Sequence, residues 1–224
     1  GGTTYPGTGG TLSWKVNDRL DNTYVQVKFG TDCTNITVAG FLTIGPTTVF
    51  YNQFDTLLMQ NRTQGLPFAV LQIVGDSGGP YIRAHSCTTS GGYLTTFSSK
   101  IKVTAGKTYW VNLKYDSSAG RVYVAAWDPD NSYAQVGATQ YANAVPGSSM
   151  EAMVRFGRCD SHGDNDGTTE PLCNTATYLD HMLIDYTNAV FPLLPAGGSP
   201  ADSTPPGAPG AVNDGTGTSD IDST

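Results

Sequence analysis

Stretches of strand length in which apolar and polar residues alternate, or in which apolar residues follow one another unbroken, recur along most of this chain. They fall at residues 11–16, 24–29, 36–44, 47–51, 56–59, 68–74, 93–103, 108–115, 121–127 and 178–186, with Gly, Asn, Asp, Ser and Pro between them. Alternation sends successive side chains to opposite faces of a strand, so one face can be buried while the other meets water. The intervening residues are those that supply turns. No longer stretch keeps an apolar period of 3.6 with caps at its ends, which leaves little room for helix. A chain of 224 residues is long enough for one large core, and the expected fold is all-β, an antiparallel β-sandwich. Its clearest hairpin runs from KTYWVNLKY (107–115) through a turn at 116–120 into RVYVAAWD (121–128). Tyr109, Val111, Leu113 and Tyr115 share one face of the first strand; Trp110, Asn112 and Lys114 share the other.

Charge and cysteine usage narrow the setting. Twelve Lys and Arg against 19 Asp and Glu give a net charge of -7, and the cations are scattered. That is no footprint for a phosphate backbone, so nucleic acid is not an expected partner. No run approaches the roughly 18 apolar residues of a membrane span, and the opening GGTTYPGTGG has neither a charged n-region nor an apolar h-region. A processed, soluble form without membrane insertion is expected. Four cysteines, Cys33, Cys87, Cys159 and Cys173, have spacings that fit neither a zinc ribbon nor a CxxC redox site. Three disulfide pairings are open. The one expected is Cys33 with Cys87 and Cys159 with Cys173, since the second closes a short polar loop between two apparent strands. Disulfides place the chain in an oxidising compartment, extracellular or at the cell surface. Asn35 and Asn61 open Asn-x-Thr triplets that fit N-glycosylation in a suitable host.

After residue 195 the composition shifts to Gly, Pro, Ser, Thr and Asp. The division expected is a sandwich domain over 1–195 and an extended linker or tail over 196–224. A tail strand laid in a neighbour's sheet edge would build a polymer of this chain; a disordered tail is the alternative.

Residues 75–80 read GDSGGP and resemble the nucleophile motif of chymotrypsin-like serine proteases. Such a serine needs a histidine to take its proton and an aspartate to orient that histidine. The family places both upstream, yet no histidine precedes Ser77. The string therefore reads as a glycine-dense turn between two strands, and a serine protease is not expected. A second resemblance lies in VTAGKTYWVNLKYDSSAGRVYVAAWDP (103–129), VRFGRCDSHGD (154–164) and YLDHMLIDYTNAVFPLLP (178–195). Together they are similar to the concanavalin A-like or laminin-G-like jelly roll of secreted bacterial proteins, which implies a jelly-roll topology over about residues 8–195. PPGAPGAVNDGTG (205–217) resembles the entry into a fibronectin type III-like module.

Glycosidases of the concanavalin A-like fold carry their carboxylates as Glu-x-Asp-x-x-Glu, because one must protonate the leaving oxygen while the other attacks or activates water. Here the only glutamates are Glu151 and Glu170, far apart and outside that motif. Asp180 and Asp185, five residues apart on one strand, are expected on opposite faces. Calcium needs several converging oxygens, and the loop CDSHGDNDG (159–167) offers Asp160, Asp164 and Asp166, with Asp180 as a further ligand. A solvated acidic turn is the alternative. Trp110, Asn112 and Lys114 could join Arg121, Tyr123 and Trp127 in a sugar-binding face, with rings stacking on pyranose faces while the polar groups meet hydroxyls. The competing reading buries those rings beneath a loop. These expectations combine into a non-catalytic extracellular carbohydrate-binding or surface module. The alternatives are a structural subunit of a filament or surface layer, and a polysaccharide hydrolase or lyase.

Overall fold

The computed structural model describes residues 14–16, 24–44, 53–61, 67–86, 95–144, 150–159 and 177–195. They form fourteen strands: β1 (Trp14–Val16), β2 (Tyr24–Cys33), β3 (Asn35–Ile44), β4 (Gln53–Asn61), β5 (Pro67–Asp76), β6 (Gly79–Ser86), β7 (Thr96–Phe97), β8 (Ile101–Lys102), β9 (Thr108–Asp116), β10 (Arg121–Asp128), β11 (Ala134–Gln135), β12 (Gln140–Asn143), β13 (Met150–Cys159) and β14 (Thr177–Asp185). The only helical piece among the described residues is a 3-10 turn, Pro129–Asn131. Two seven-stranded sheets result. Sheet A runs β1-β14-β3-β9-β10-β11 with β12 also on β10; sheet B runs β2-β13-β4-β5-β6-β7 with β8 also on β6. Every pairing is antiparallel, so the expected all-β jelly-roll sandwich is what the chain forms.

The alternation sets which side chains fill the space between the sheets. Ile36, Val38, Leu42 and Ile44 of β3 and Tyr109, Val111, Leu113 and Tyr115 of β9 face Leu71, Ile73, Ile82 and Val154 from sheet B in one continuous core. Complete burial of a side chain of this size contributes about 1.5–3 kcal/mol, which makes this alternation the main determinant of register. The hairpin of β9 and β10 forms as read, with Tyr115 opposite Val122 and Trp110 opposite Trp127. GDSGGP closes the β5–β6 hairpin with a two-residue turn, Asp76 pairing with Gly79. Gly79 takes φ +113 there, a conformation a β-carbon disfavours. Ser77 is exposed in that turn. His85 stands opposite Val70, about 23 Å along the strand from Ser77, so the serine has no imidazole from its own hairpin.

The expected run 93–103 is broken: β7 and β8 are separate two-residue strands, both on β6. β13, between β2 and β4, is not among the ten expected runs, because Glu151, Arg155 and Arg158 interrupt its apolar pattern, although a strand is expected to lead into the loop that begins at Cys159. A bulge between Asp180 and Leu183 adds one residue to β14. It directs the Met182 side chain inward over Gly40, where a β-carbon would meet the Met182 sulfur and lie 3.2 Å from the Asp180 carbonyl oxygen. Gly40→Ala is expected to lower unfolding stability in urea by about 1–3 kcal/mol. The loss should shrink in a Met182→Ala background, where the obstructing tail is gone.

Cys33 is buried. Cys87 and Cys173 lie outside the described residues, and Cys159 is described only as the last residue of β13. The tail 196–224, with its fibronectin-like segment, also lies outside them.

Candidate functional site

The outer face of sheet A carries the six residues expected to meet a sugar, and most of it is covered. Trp110 is 0% and Trp127 3% exposed, and both belong to a second apolar cluster with Ala39, Phe41, Ala125 and Tyr133. Phe191, Leu193 and Leu194, from the segment that follows β14, pack over this cluster. The segment is fastened by two hydrogen bonds: the Trp110 indole Nε1–H donates to the Leu193 carbonyl at 2.9 Å, and the Leu193 N–H donates to Asn112 Oδ1 at 2.7 Å. Trp110, Asn112 and Trp127 therefore form a second core layer beneath a strap. An open groove built on them is corrected accordingly. Burial pushes the Tyr133 phenol in the same cluster up to about 12.

The other three residues lie nearer the rim. Lys114 pairs with Asp116 at 3.3 Å. Burial alone would raise the Asp116 carboxyl, but the Ser118 hydroxyl, the Ala119 N–H and Lys114 hold it below its ordinary range. Arg121 lies over the Tyr141 ring at 4.1 Å, and Tyr123 tilts against Tyr141 and Phe191.

Asp180 and Asp185 share a face, contrary to the expectation from simple alternation. Asp180 pairs with Phe41 and Asp185 with Thr37, both on the outer side of β3, because the bulge between them shifts the alternation by one residue. Asp185 organises the turn that launches the strap, accepting from the N–H groups of Thr187, Asn188 and Val190. Burial would raise its carboxyl, and these donors outweigh it and hold the group below its ordinary value. Asp180 accepts from the His181 N–H at 2.8 Å. Its expected co-ligands Asp160, Asp164 and Asp166 lie outside the described residues. Asn35 Oδ1 accepts from the Ser117 N–H at 3.1 Å; Asn61 is the last residue of β4.

The outer face of sheet B has a different chemistry. The pleat that buries Ile73, Ile82, Ala84, Val154 and Phe156 turns Gln72, Arg83, His85 and Arg155 away from the core. Cross-strand register sets them in rows. Gln26 is opposite Arg155, Arg155 opposite Leu58, Leu58 opposite Val70, Val70 opposite His85, and His85 opposite Phe97. Gln72 and Arg83 are paired one step along. Arg83 Nε donates to Gln72 Oε1 at 2.8 Å. The Arg83 guanidinium lies 3.7 Å from the Phe97 centroid, and the His85 ring stacks on Phe97 at 4.1 Å and 17°. Gln72 is 2% and His85 6% exposed. Gln26 Oε1 is buried without a hydrogen-bond partner among the described residues. Lys28 and Lys102 extend the same face, and Lys100 reaches over the Tyr81 ring at 5.1 Å. On a protein of net charge -7, this gathers cations, two amides and an imidazole on one sheet.

Sequence reasoning missed this face, although a signal existed. Gln72 interrupts an apolar run, and Tyr81, Arg83 and His85 alternate with Ile82 and Ala84. Polar residues at every second position are the mark of a strand face that is not core.

No family model matches the chain, and no curated protein matches it. Solved structures do. An endo-β-1,4-glucuronan lyase from the fungus Trichoderma reesei superposes with a TM-score of 0.55 at 14% identity, covering 86% of each chain. Looser likenesses are a heptameric SAP-like pentraxin from Limulus polyphemus (TM-score 0.49, 15% identity, 76% of this chain and 74% of that one) and an alginate lyase from an Alteromonas species (0.43, 12%, 82% and 83%). Scores below 0.5 add nothing to the argument. The fungal likeness overturns the expectation of a non-catalytic module, since the same arrangement of strands carries a lyase in that protein. What it establishes here is architecture: the chain is an antiparallel two-sheet jelly roll of the kind the fungal lyase has.

Proposed function

We propose that the outer face of sheet B binds an acidic, uronic acid-containing polysaccharize chain outside the cell and cleaves it by β-elimination. The observation that carries this reading is the grouping of Gln72, Arg83 and His85 on adjacent strands, with Arg155 in the same face. The fold it shares with a glucuronan lyase supports it. Elimination from a uronate makes three demands. The carboxylate must be neutralised so that the C5 proton becomes acidic, a base must take that proton, and the leaving C4 oxygen must receive one. A guanidinium meets a carboxylate bidentately, which suits Arg83, its Nε oriented by Gln72. Arg155 adds a second cation. His85 is the candidate base and, once protonated, the candidate acid for the leaving oxygen. As the C5–H bond breaks, its electron pair forms the C4=C5 double bond and the C4–O bond is released, its oxygen taking the acid's proton. Hydrolysis would instead need paired carboxylates, whereas the residues registered beside Arg83 and His85 are Gln72, Val70 and Phe97, with Asp55 next beyond Gln72.

The fungal lyase acts on glucuronan, and that polymer belongs in the test with a neutral glucan beside it. The expected result is growth of ultraviolet absorbance from the conjugated C4=C5 bond on a polyuronate and none on the neutral chain. New reducing ends without that absorbance would mean hydrolysis and would sink the elimination reading.

A further inference from the structure

Phe97 presents a large apolar ring, 45% exposed, at the edge of sheet B on a strand of only two residues. A ring so placed is normally a packing liability, yet its two neighbours, His85 and Arg83, both belong to the proposed site. The His85 ring lies 4.1 Å from its centroid at 17°, and Arg83 Cζ lies 3.7 Å from the same point. Two groups that close to one centroid would overlap if they shared a ring face, so they occupy opposite faces and Phe97 stands between them. Register explains how. Phe97 is directly opposite His85, and Arg83 is the diagonal neighbour two residues along β6, within reach of an aromatic side chain.

The edge is held in place by more than ladder pairing. Ser98 N–H donates to the Ala84 carbonyl at 2.9 Å, and the Ser98 hydroxyl accepts from the Ala84 N–H at 2.9 Å. Ser98 thus clasps both backbone groups of the residue midway between Arg83 and His85. The ring is carried on a segment locked to the strand whose side chains it separates.

We infer that Phe97 is a positioning residue: a spacer that fixes the guanidinium of Arg83 and the imidazole of His85 at a set separation. It prevents a ligand carboxylate from drawing both onto itself. The catalytic consequence rests on the lyase reading above. Arg83 is held on two sides, by Gln72 through Nε and by the ring through its plane, so a bound carboxylate would meet it in one orientation. His85 then stands one ring thickness beyond, toward the carbon bearing the proton to be removed. Loss of such preorganisation lowers turnover more than it weakens binding, because the charge of Arg83 remains available to the substrate.

The test compares Phe97→Ala, Phe97→Leu and Phe97→Tyr with the wild type. Polyuronate cleavage is measured, and the carbon-bound protons of His85 are read by NMR, where a stacked ring shifts them upfield. The expected result is a kcat about a hundredfold lower for F97A, with KM changed less than threefold. F97Y should stay near wild type and F97L near F97A. The His85 protons should be shifted upfield in wild type and F97Y and unshifted in the other two. Restoration of kcat by F97L would mean that bulk alone suffices and would overturn the proposal, as would unshifted His85 protons in the wild type. A wild type that cleaves no polyuronate but shows the shift, lost in F97A, would refute the lyase reading while upholding the spacer.

Discussion

His85→Gln is expected to lower turnover on a polyuronate by about 10²–10⁴-fold, the usual worth of a positioned acid–base group. That range corresponds to roughly 3–5 kcal/mol of barrier. His85 sits on β6 with its neighbours Ile82 and Ala84 turned into the core, so the pleat directs the imidazole to the face that also bears Arg83 and Gln72. It is 6% exposed, and in so enclosed a place electrostatic interactions count for more than in water. Glutamine keeps a polar side chain of comparable reach and removes the proton-transfer function, which separates chemistry from packing. Arg83→Lys, measured alongside, keeps the charge but loses the planar fork and its stacking on Phe97. Its expected signature is a raised KM together with a lower kcat. Unchanged turnover in H85Q, with thermal unfolding like that of the wild type, would place the base elsewhere on the sheet.

How far this site could have been read in advance depends on one turn. Once GDSGGP is a two-residue hairpin turn, the partners on β5 and β6 follow: Gln72 must oppose Arg83 and Val70 must oppose His85, as they do. The same string taken as a protease motif draws attention to Ser77, the exposed tip, and away from the strand faces it connects. Arg155 was not legible at all. β13 reaches its place between β2 and β4 through long-range pairing, and nothing local in the segment says which strands it will join. The inner face of β9 was legible because Tyr109, Val111, Leu113 and Tyr115 alternate without a break. Its outer face was ambiguous, since Trp110, Asn112 and Lys114 describe a wet aromatic face and a covered one equally well. Only the placement of residues 191–194 decides between them. The bulge in β14 is a further case. One inserted residue brings Asp180 and Asp185 to a common face, and alternation counted along the sequence has no way to register it.

Trp110→Ala should destabilise the fold by about 3–5 kcal/mol, the range for removing a buried tryptophan. This is the second large effect, and it separates a covered face from a sugar-binding one. Trp110 is fully buried, edge-on to Phe41 with centroids 4.9 Å apart. Its truncation removes the contacts of the second cluster and leaves the Leu193 carbonyl without the indole donor. Trp110→Phe keeps most of the volume and loses only the hydrogen bond, for which about 1–3 kcal/mol is expected when a buried partner is left unsatisfied. Asn112→Ala, which removes the acceptor for the Leu193 N–H, should fall in the same range. Because both bonds hold one strap residue, the double variant W110F/N112A should deviate from additivity. Equilibrium urea unfolding gives the stabilities, and proteolytic cleavage within residues 186–195 reports release of the strap. A sugar-binding face predicts the reverse pattern, with W110A folded as stably as the wild type and carbohydrate binding lost. The burial of both tryptophans beneath Leu193 requires instead that stability falls first, and that polyuronate cleavage on the opposite sheet persists in W110F for as long as the sandwich remains folded.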